Sequence, residues 1–239
     1  MLNHILGALS PEDQALLLPE LESVELEARQ ELETPNRPIK YVYFLETGIA
    51  AVLSISGRLR IALGLIGCEG ASGLAVFLGD LRSPHSTIML TPGTGYRIAE
   101  AALRIQMNGH PELTRLLLRY SLAFFNQTAH TALSNASSSI EQRVARWVLM
   151  TNDRFTDDEV PLTHEVIAFM LGIRRAGVTV AMDGLAHRKL IHIERGAIRI
   201  LDRQAIQEIV GAFYGLPEKE YVRLVGTFWP PVPKDETSH

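Results

Sequence analysis

The sequence predicts an α+β chain in three parts, and three observations carry that expectation. Short strand patterns broken by Gly and Pro run from 24 to about 98, one long helical pattern runs from 111 to about 134, and two short helical patterns are followed by alternating residues between 163 and 200. The first part suits a β-roll, or jelly-roll-like domain, placed at residues 1–110. The long helix takes 111–136, the third part 137–228, and a flexible tail 229–239, where Trp229-Pro230-Pro231-Val232-Pro233 precedes polar residues. With 239 residues, 46% of them hydrophobic, the chain can bury a large core and is expected to form two domains.

Ser10-Pro11-Glu12-Asp13 starts the first helix with a capping serine, proline at the first helical position and an acid able to reach back. Leu16, Leu17, Leu18 and Leu21 supply its apolar face. Tyr41-Val42-Tyr43-Phe44-Leu45 and residues 49–55, 59–66 and 86–90 read as strands, each bounded by turn-forming residues. Gly93-Thr94-Gly95-Tyr96 lacks the third glycine and the flanking elements of a dinucleotide site and is expected to be a turn. In the long helix, Leu118, Leu122, Phe125, Ala129 and Ala132 recur at spacings of four, three, four and three, the seam pattern of a coiled coil. On spacing alone, the same stripe suits a helix buried within its own chain. A second stripe, Leu113, Leu117, Tyr120 and Phe124, is placed to face the β-roll. Ala136-Ser137-Ser138-Ser139 breaks the helix, and Ser139-Ile140-Glu141-Gln142 restarts it with a capping box, a natural hinge.

Thr163 precedes the apolar-periodic run Val166, Ile167, Phe169, Met170 and Leu171, so its hydroxyl can cap a helix that should end at Gly172. A second periodic run follows at once, opening on Arg174 and Arg175 and continuing through Val178, Met182 and Leu185. After Lys189 the period becomes two. Leu190-Ile191-His192-Ile193-Glu194, a turn at Arg195-Gly196, and Ala197-Ile198-Arg199-Ile200 then make a hairpin. Two helices, a tight turn and a hairpin form a winged helix-turn-helix, a unit that usually reads DNA. Candidate contacts are Arg174, Arg175, Gly177 and Thr179 on the second helix, Thr163 and His164 at the start of the first, and Arg195 at the wing tip. An arginine fork spans the two acceptors of a guanine edge, while a wing arginine meets phosphate. From 163 to 203 there are seven Lys or Arg against four Asp or Glu, in a chain whose net charge is −4. A solvated helix face beside an ordinary hairpin would share this spacing.

Other chemistries find little purchase. His164-Glu165-Val166-Ile167-Ala168 has Ala168 where a zinc protease needs its second histidine, and no other histidines show ligand spacing, so no metal is expected. One cysteine, Cys68, excludes a disulfide framework and an iron-sulfur cluster, and its neighbour Glu69 favours an inert thiol over a redox switch. No nucleophile stands beside a base, so neither catalysis nor a cofactor is expected. No apolar run reaches a membrane-spanning length and no signal core opens the chain, which points to a cytoplasmic protein without membrane contact.

The run Leu162-Thr163-His164-Glu165-Val166-Ile167-Ala168-Phe169-Met170-Leu171-Gly172-Ile173-Arg174-Arg175, with Val178, Leu185 and Leu190-Ile191, resembles the DNA-binding domain of the cyclic-AMP receptor protein and fumarate-nitrate regulator (Crp/Fnr) superfamily. Tyr43-Phe44-Leu45-Glu46-Thr47-Gly48 is similar to a strand and turn of that family's effector-binding β-roll, and residues 143–147 fall where its dimer helix meets the DNA-binding domain. The resemblance implies a cytoplasmic homodimeric transcription regulator binding a pseudo-palindromic operator in double-stranded DNA, with RNA polymerase as a further partner. Leu118, Leu122, Phe125, Ala129 and Ala132 would then pair the protomers. A second reading stays open, a ligand-binding module whose helix-turn-helix serves protein contacts.

Departures from the family matter as much. Its second helix commonly carries Ser or Thr before an arginine, then Glu and Thr, and another arginine one turn on. Here Arg174 replaces the small residue, Arg175 matches, and Ala176, Gly177 and Val180 stand where the others would be, so the operator should differ. The family's cyclic-nucleotide members bind sugar and phosphate with Gly-Glu and a later Arg followed by Ser or Thr. In this chain Gly73 is followed by Leu74, while Arg82-Ser83 could mimic the phosphate pair or could be a surface loop beside Asp80. Leucine cannot accept the ribose hydroxyl bond, and an unpaired hydroxyl in a closed pocket costs about 1 to 3 kcal/mol. The effector is therefore open, with cyclic AMP disfavoured unless another carboxylate such as Glu69 folds into the role.

Overall fold

The computed structural model describes residues 2–155 and 159–226. It has the α+β order that the patterns predict. Helices α1 (His4–Gly7) and α2 (Pro11–Leu17) open the chain, and Ser10 accepts a hydrogen bond from the Asp13 amide at the start of α2. Strands β1 (Glu22–Leu26), β2 (Glu31–Glu33), β3 (Tyr41–Leu45), β4 (Ala50–Ser56), β5 (Leu59–Ile66), β6 (Ser86–Met89) and β7 (Gly93–Ala99) follow, with α3 (Leu74–Phe77) between β5 and β6. They build two antiparallel sheets, ordered β1-β7-β3 and β2-β6-β4-β5.

Strand β7 corrects the expected turn at Gly93-Thr94-Gly95-Tyr96, which is the first half of the central strand of its sheet. The glycines serve close approach there. A Cβ at Gly93 would lie 2.1 Å from the Thr47 carbonyl oxygen, and one at Gly95 2.4 Å from that of Phe44.

Helix α4 (Glu100–Gly109) leads into α5 (Pro111–Ser137), whose two stripes part cleanly. Leu113, Leu117, Tyr120 and Phe124 are buried with apolar residues of the β-roll, among them Val42, Phe44, Phe77 and Met89. The Tyr120 hydroxyl donates to the Ala71 carbonyl at 3.0 Å. On the opposite side Leu118, Leu122 and Phe125 are 44%, 46% and 64% exposed, and Ala129 and Ala132 are exposed with them. Helix α6 (Ile140–Asn152) restarts behind Ser139, whose capping box with Gln142 is formed as its sequence suggests.

The last part comprises β8 (Glu159–Val160), α7 (His164–Leu171), α8 (Arg175–His187), β9 (Ile191–Glu194), β10 (Ala197–Ile200), α9 (Arg203–Val210) and α10 (Leu216–Leu224). The wing has a third strand, in the order β8-β10-β9. Two residues of β8 carry no readable period. The expected tail at 229–239 lies outside the described residues.

The apolar core does not stop between the second and third parts. Ile49, Ala51, Leu53, Ala62 and Leu65 of the roll share one cluster with Trp147, Ile167, Met170, Leu171, Met182 and Leu185. Helix α10 turns back over the roll, where Tyr221 and Leu224 pack with Ile5, Leu9 and Leu17. A buried ion pair crosses the same boundary. Arg154, just past α6, donates from Nε to Glu69 of the β5–α3 loop at 2.8 Å, with side chains 2% and 3% exposed. The second Glu69 oxygen accepts the Gly67 amide at 3.0 Å, and the Tyr221 hydroxyl donates to the Glu69 carbonyl at 2.5 Å. Glu69 is thus committed to a structural pair and does not take the role of a sugar-binding acid.

Candidate nucleic-acid interface

Thr163 caps α7 by accepting from the Val166 amide at 3.2 Å, and α7 ends at Gly172, whose φ of 63° favours glycine. Space also demands glycine at this turn. A Cβ on Gly172 would lie 2.9 Å from Cγ1 of Ile61, so the turn of the helix-turn-helix rests on β5.

Only one of the two arginines is helical. Arg174 is the N-cap of α8, with extended backbone, and Arg175 is its first helical residue. Both are exposed. Helix α8 buries Val178, Ala181, Met182 and Leu185 and turns Arg175, Ala176, Val180, Asp183 and His187 to solvent. Gly177 sits on the side toward α6, where a Cβ would meet Cδ1 of Ile140 at 3.6 Å. His164 and Thr179 are half-buried, with Nδ1 of the histidine 3.1 Å from the threonine hydroxyl, so together they join α7 to α8. Thr163, Arg174, Arg175 and the wing-tip Arg195 remain on the exposed surface. Gly196 beside Arg195 holds a φ of 87°, which the hairpin turn requires.

The local positive charge is partly consumed inside the chain. Arg188 pairs with Glu141, Arg199 with Glu159 and Glu194, and Arg203 with Asp153. Among the described residues Arg174, Arg175, Lys189 and Arg195 make no ion pair, and all four are exposed. Composition could not separate these two groups, because the partners Glu141 and Asp153 lie far off in sequence. Sequence reasoning also missed the buried cations. Arg146 donates to the Phe213 carbonyl at 2.9 Å, and burial pulls its guanidinium down to about 10. Burial raises the Asp153 carboxyl, despite Arg203 and a Tyr214 hydroxyl donating at 2.7 Å.

In the roll, Arg82 is exposed on a turn where its amide donates to Asp80 at 3.2 Å, and the Ser83 hydroxyl accepts the His85 amide at 3.1 Å. Leu74 is half-buried and packs into the apolar clusters. The amide of Gly73 is already bound by a carboxylate of this chain. Glu33, buried on β2, accepts it at 2.8 Å and accepts the Thr87 hydroxyl at 3.0 Å, and burial raises the Glu33 carboxyl. The sequence offered no signal for it, since β2 runs from exposed Glu31 to buried Glu33 without alternating and its register shifts between them.

Cys68 is buried, and burial, reinforced by Glu69, pushes its thiol up to about 12. Native protein at neutral pH is therefore expected to resist iodoacetamide, whereas denatured protein is alkylated at an ordinary thiol rate. Equal rates by mass spectrometry in the two states would contradict this.

A β-roll, a long helix with one exposed apolar stripe and a winged helix-turn-helix whose entry arginines make no ion pair among the described residues define the class of fold. The Crp-like helix-turn-helix domain family matches residues 142–209. The chain is 26% identical over 179 residues to a CRP-like cAMP-activated global transcriptional regulator of Mycobacterium tuberculosis, covering 67% of this chain and 80% of that protein. Its fold matches FixK2 from Bradyrhizobium japonicum with a TM-score of 0.72 at 15% identity, covering 80% of this chain and 98% of that one. It also matches a transcriptional regulator of the crp/fnr family from Eubacterium rectale, with a TM-score of 0.67 at 16% identity and coverage of 86% and 97%. Residues 142–209 are thus a Crp-like helix-turn-helix domain, and the chain as a whole has the fold of Crp/Fnr-family structures. Among the described residues no helix is long and apolar enough to cross a membrane.

Proposed function

We propose that the protein acts as a homodimer that binds a pseudo-palindromic operator through paired α8 helices, under the control of its β-roll. The observation that carries this reading is the pair Arg174 and Arg175, exposed and without an ion pair among the described residues at the entry of α8, together with the exposed wing-tip arginine Arg195. Two such helices, about 34 Å apart, reach successive major grooves. The exposed stripe of α5 supplies the pairing surface. Control would run through the shared core, since the Gly172 turn rests on Ile61 of β5 and any shift of that hairpin moves α7 and α8. A signal acts only by its difference in affinity for the competent and incompetent dimers.

A gel shift with random duplex DNA under a salt titration tests the reading, and absence of salt-dependent binding would defeat it. Arg175→Ala is expected to cost about 1 to 3 kcal/mol on the selected operator and to relax one base position. Arg195→Ala should weaken all sequences alike and reduce the salt slope by about one. Unchanged affinity and preference in Arg175→Ala would show that α8 does not read bases.

Cyclic AMP is expected not to activate this protein. Leu74 offers no acceptor for the ribose hydroxyl, Glu69 is held by Arg154, and Glu33 already occupies the Gly73 amide. Calorimetry with cyclic AMP and cyclic GMP should register no heat. Micromolar binding with a tenfold gain in operator affinity would refute the expectation.

A further inference from the structure

Among the described residues, the most exposed large hydrophobic side chain lies on α8. It is Val180, at 73% exposure. Ala176 lies one turn before it and Asp183 one turn after, and all three are exposed on the face opposite the buried Val178, Ala181, Met182 and Leu185. Water contact with so much of a branched apolar side chain is unfavourable. Packing inside this chain does not require it, for the α6 side of α8 is met instead by Gly177 and Gly184, whose would-be Cβ atoms face Ile140 and Glu141.

Resting on the operator reading above, we propose that Val180, with Ala176 beside it, is a specificity-determining residue that reads the 5-methyl group of a thymine in the major groove. Charge fixes which partner fits this apolar spot. Arg174 and Arg175 stand just before Ala176 at the helix entry, so the approach to the two small apolar side chains from that end is cationic and suits a polyanion. In the major groove the thymine methyl is the apolar group that base edges present, and short aliphatic side chains are its partners. Arg175 would read an acceptor edge, and one turn on, Val180 would read a methyl group. Asp183 then bounds the apolar spot on its far side and disfavours an acceptor-rich guanine edge there.

The test begins with selection of operators from a random duplex library by the full-length protein. Each thymine of the selected half-site is then replaced by uracil, which removes only the methyl group. One such replacement in a single half-site should weaken the unmodified protein by about fourfold, the worth of one buried methyl group. Val180→Ala should bind that uracil operator and its thymine parent within twofold of each other. Because Val180 is exposed, the variant should melt with the unmodified protein, which circular dichroism checks. An enriched operator with no uracil-sensitive thymine, or a sensitivity that persists in Val180→Ala, overturns this inference and leaves the operator reading intact. No enriched sequence at all overturns both.

Discussion

Arg154→Ala is expected to destabilise the folded protein by about 3 to 5 kcal/mol, the cost of stranding a buried charge whose partner is removed. The partner is Glu69, 3% exposed, whose carboxylate would lose the guanidinium and keep only the Gly67 amide at 3.0 Å. The damage should not stay local. The pair links the β5–α3 loop to the end of α6, and Tyr221 anchors α10 on the same Glu69 carbonyl. Urea denaturation of the variant should show the loss as a lower midpoint, and operator binding should fall with it because α6 supports α8. Arg154→Met combined with Glu69→Leu should recover much of the stability, since apolar residues of similar volume often replace buried ion pairs without loss. A single variant losing under about 1 kcal/mol would show that water reaches the site and screens it.

The sequence made local signals legible and left long-range ones dark. Ser10, Ser139 and Thr163 each cap the helix their patterns announce, because a cap is a contact over three residues. Helix α5 disclosed both stripes for a similar reason, as its period repeats over 27 residues. Strand β7 was misread because Gly93 and Gly95 are there for what lies across from them, the Thr47 and Phe44 carbonyls. Glu69 was read as a spare carboxylate because Arg154 is 85 positions away. In the candidate interface, Arg174 and Arg175 were legible from their place before a periodic run. Val180 was open to the same periodicity, since 176, 180, 183 and 187 fall on one face, yet a valine on a helix is ordinarily taken as core. The union of roll and helix-turn-helix in one apolar cluster had no sequence signature at all.

Phe125→Asp is expected to yield a monomer that folds normally and binds operator 10² to 10⁴ times more weakly, the factor by which coupling of two modules exceeds either alone. Phe125 is 64% exposed and lies on the stripe with Leu118 and Leu122, opposite the side of α5 that packs on the roll. An aspartate there costs the isolated chain little. Across a two-fold pairing of α5 helices the same change places two carboxylates in an apolar seam, where neither has a cation to meet it. Assembly and folding therefore respond in opposite ways, which separates an interface from a core position. Sedimentation velocity should show the unmodified chain as a dimer at micromolar concentration and the variant as a monomer, with matching thermal unfolding after correction for concentration. Single half-site DNA offers the internal control, since a lone α8 should bind it equally from either protein. An unmodified chain that sediments as a monomer, or a variant that keeps full affinity for the palindrome, would remove the dimer from the mechanism and leave the exposed α5 stripe to another partner.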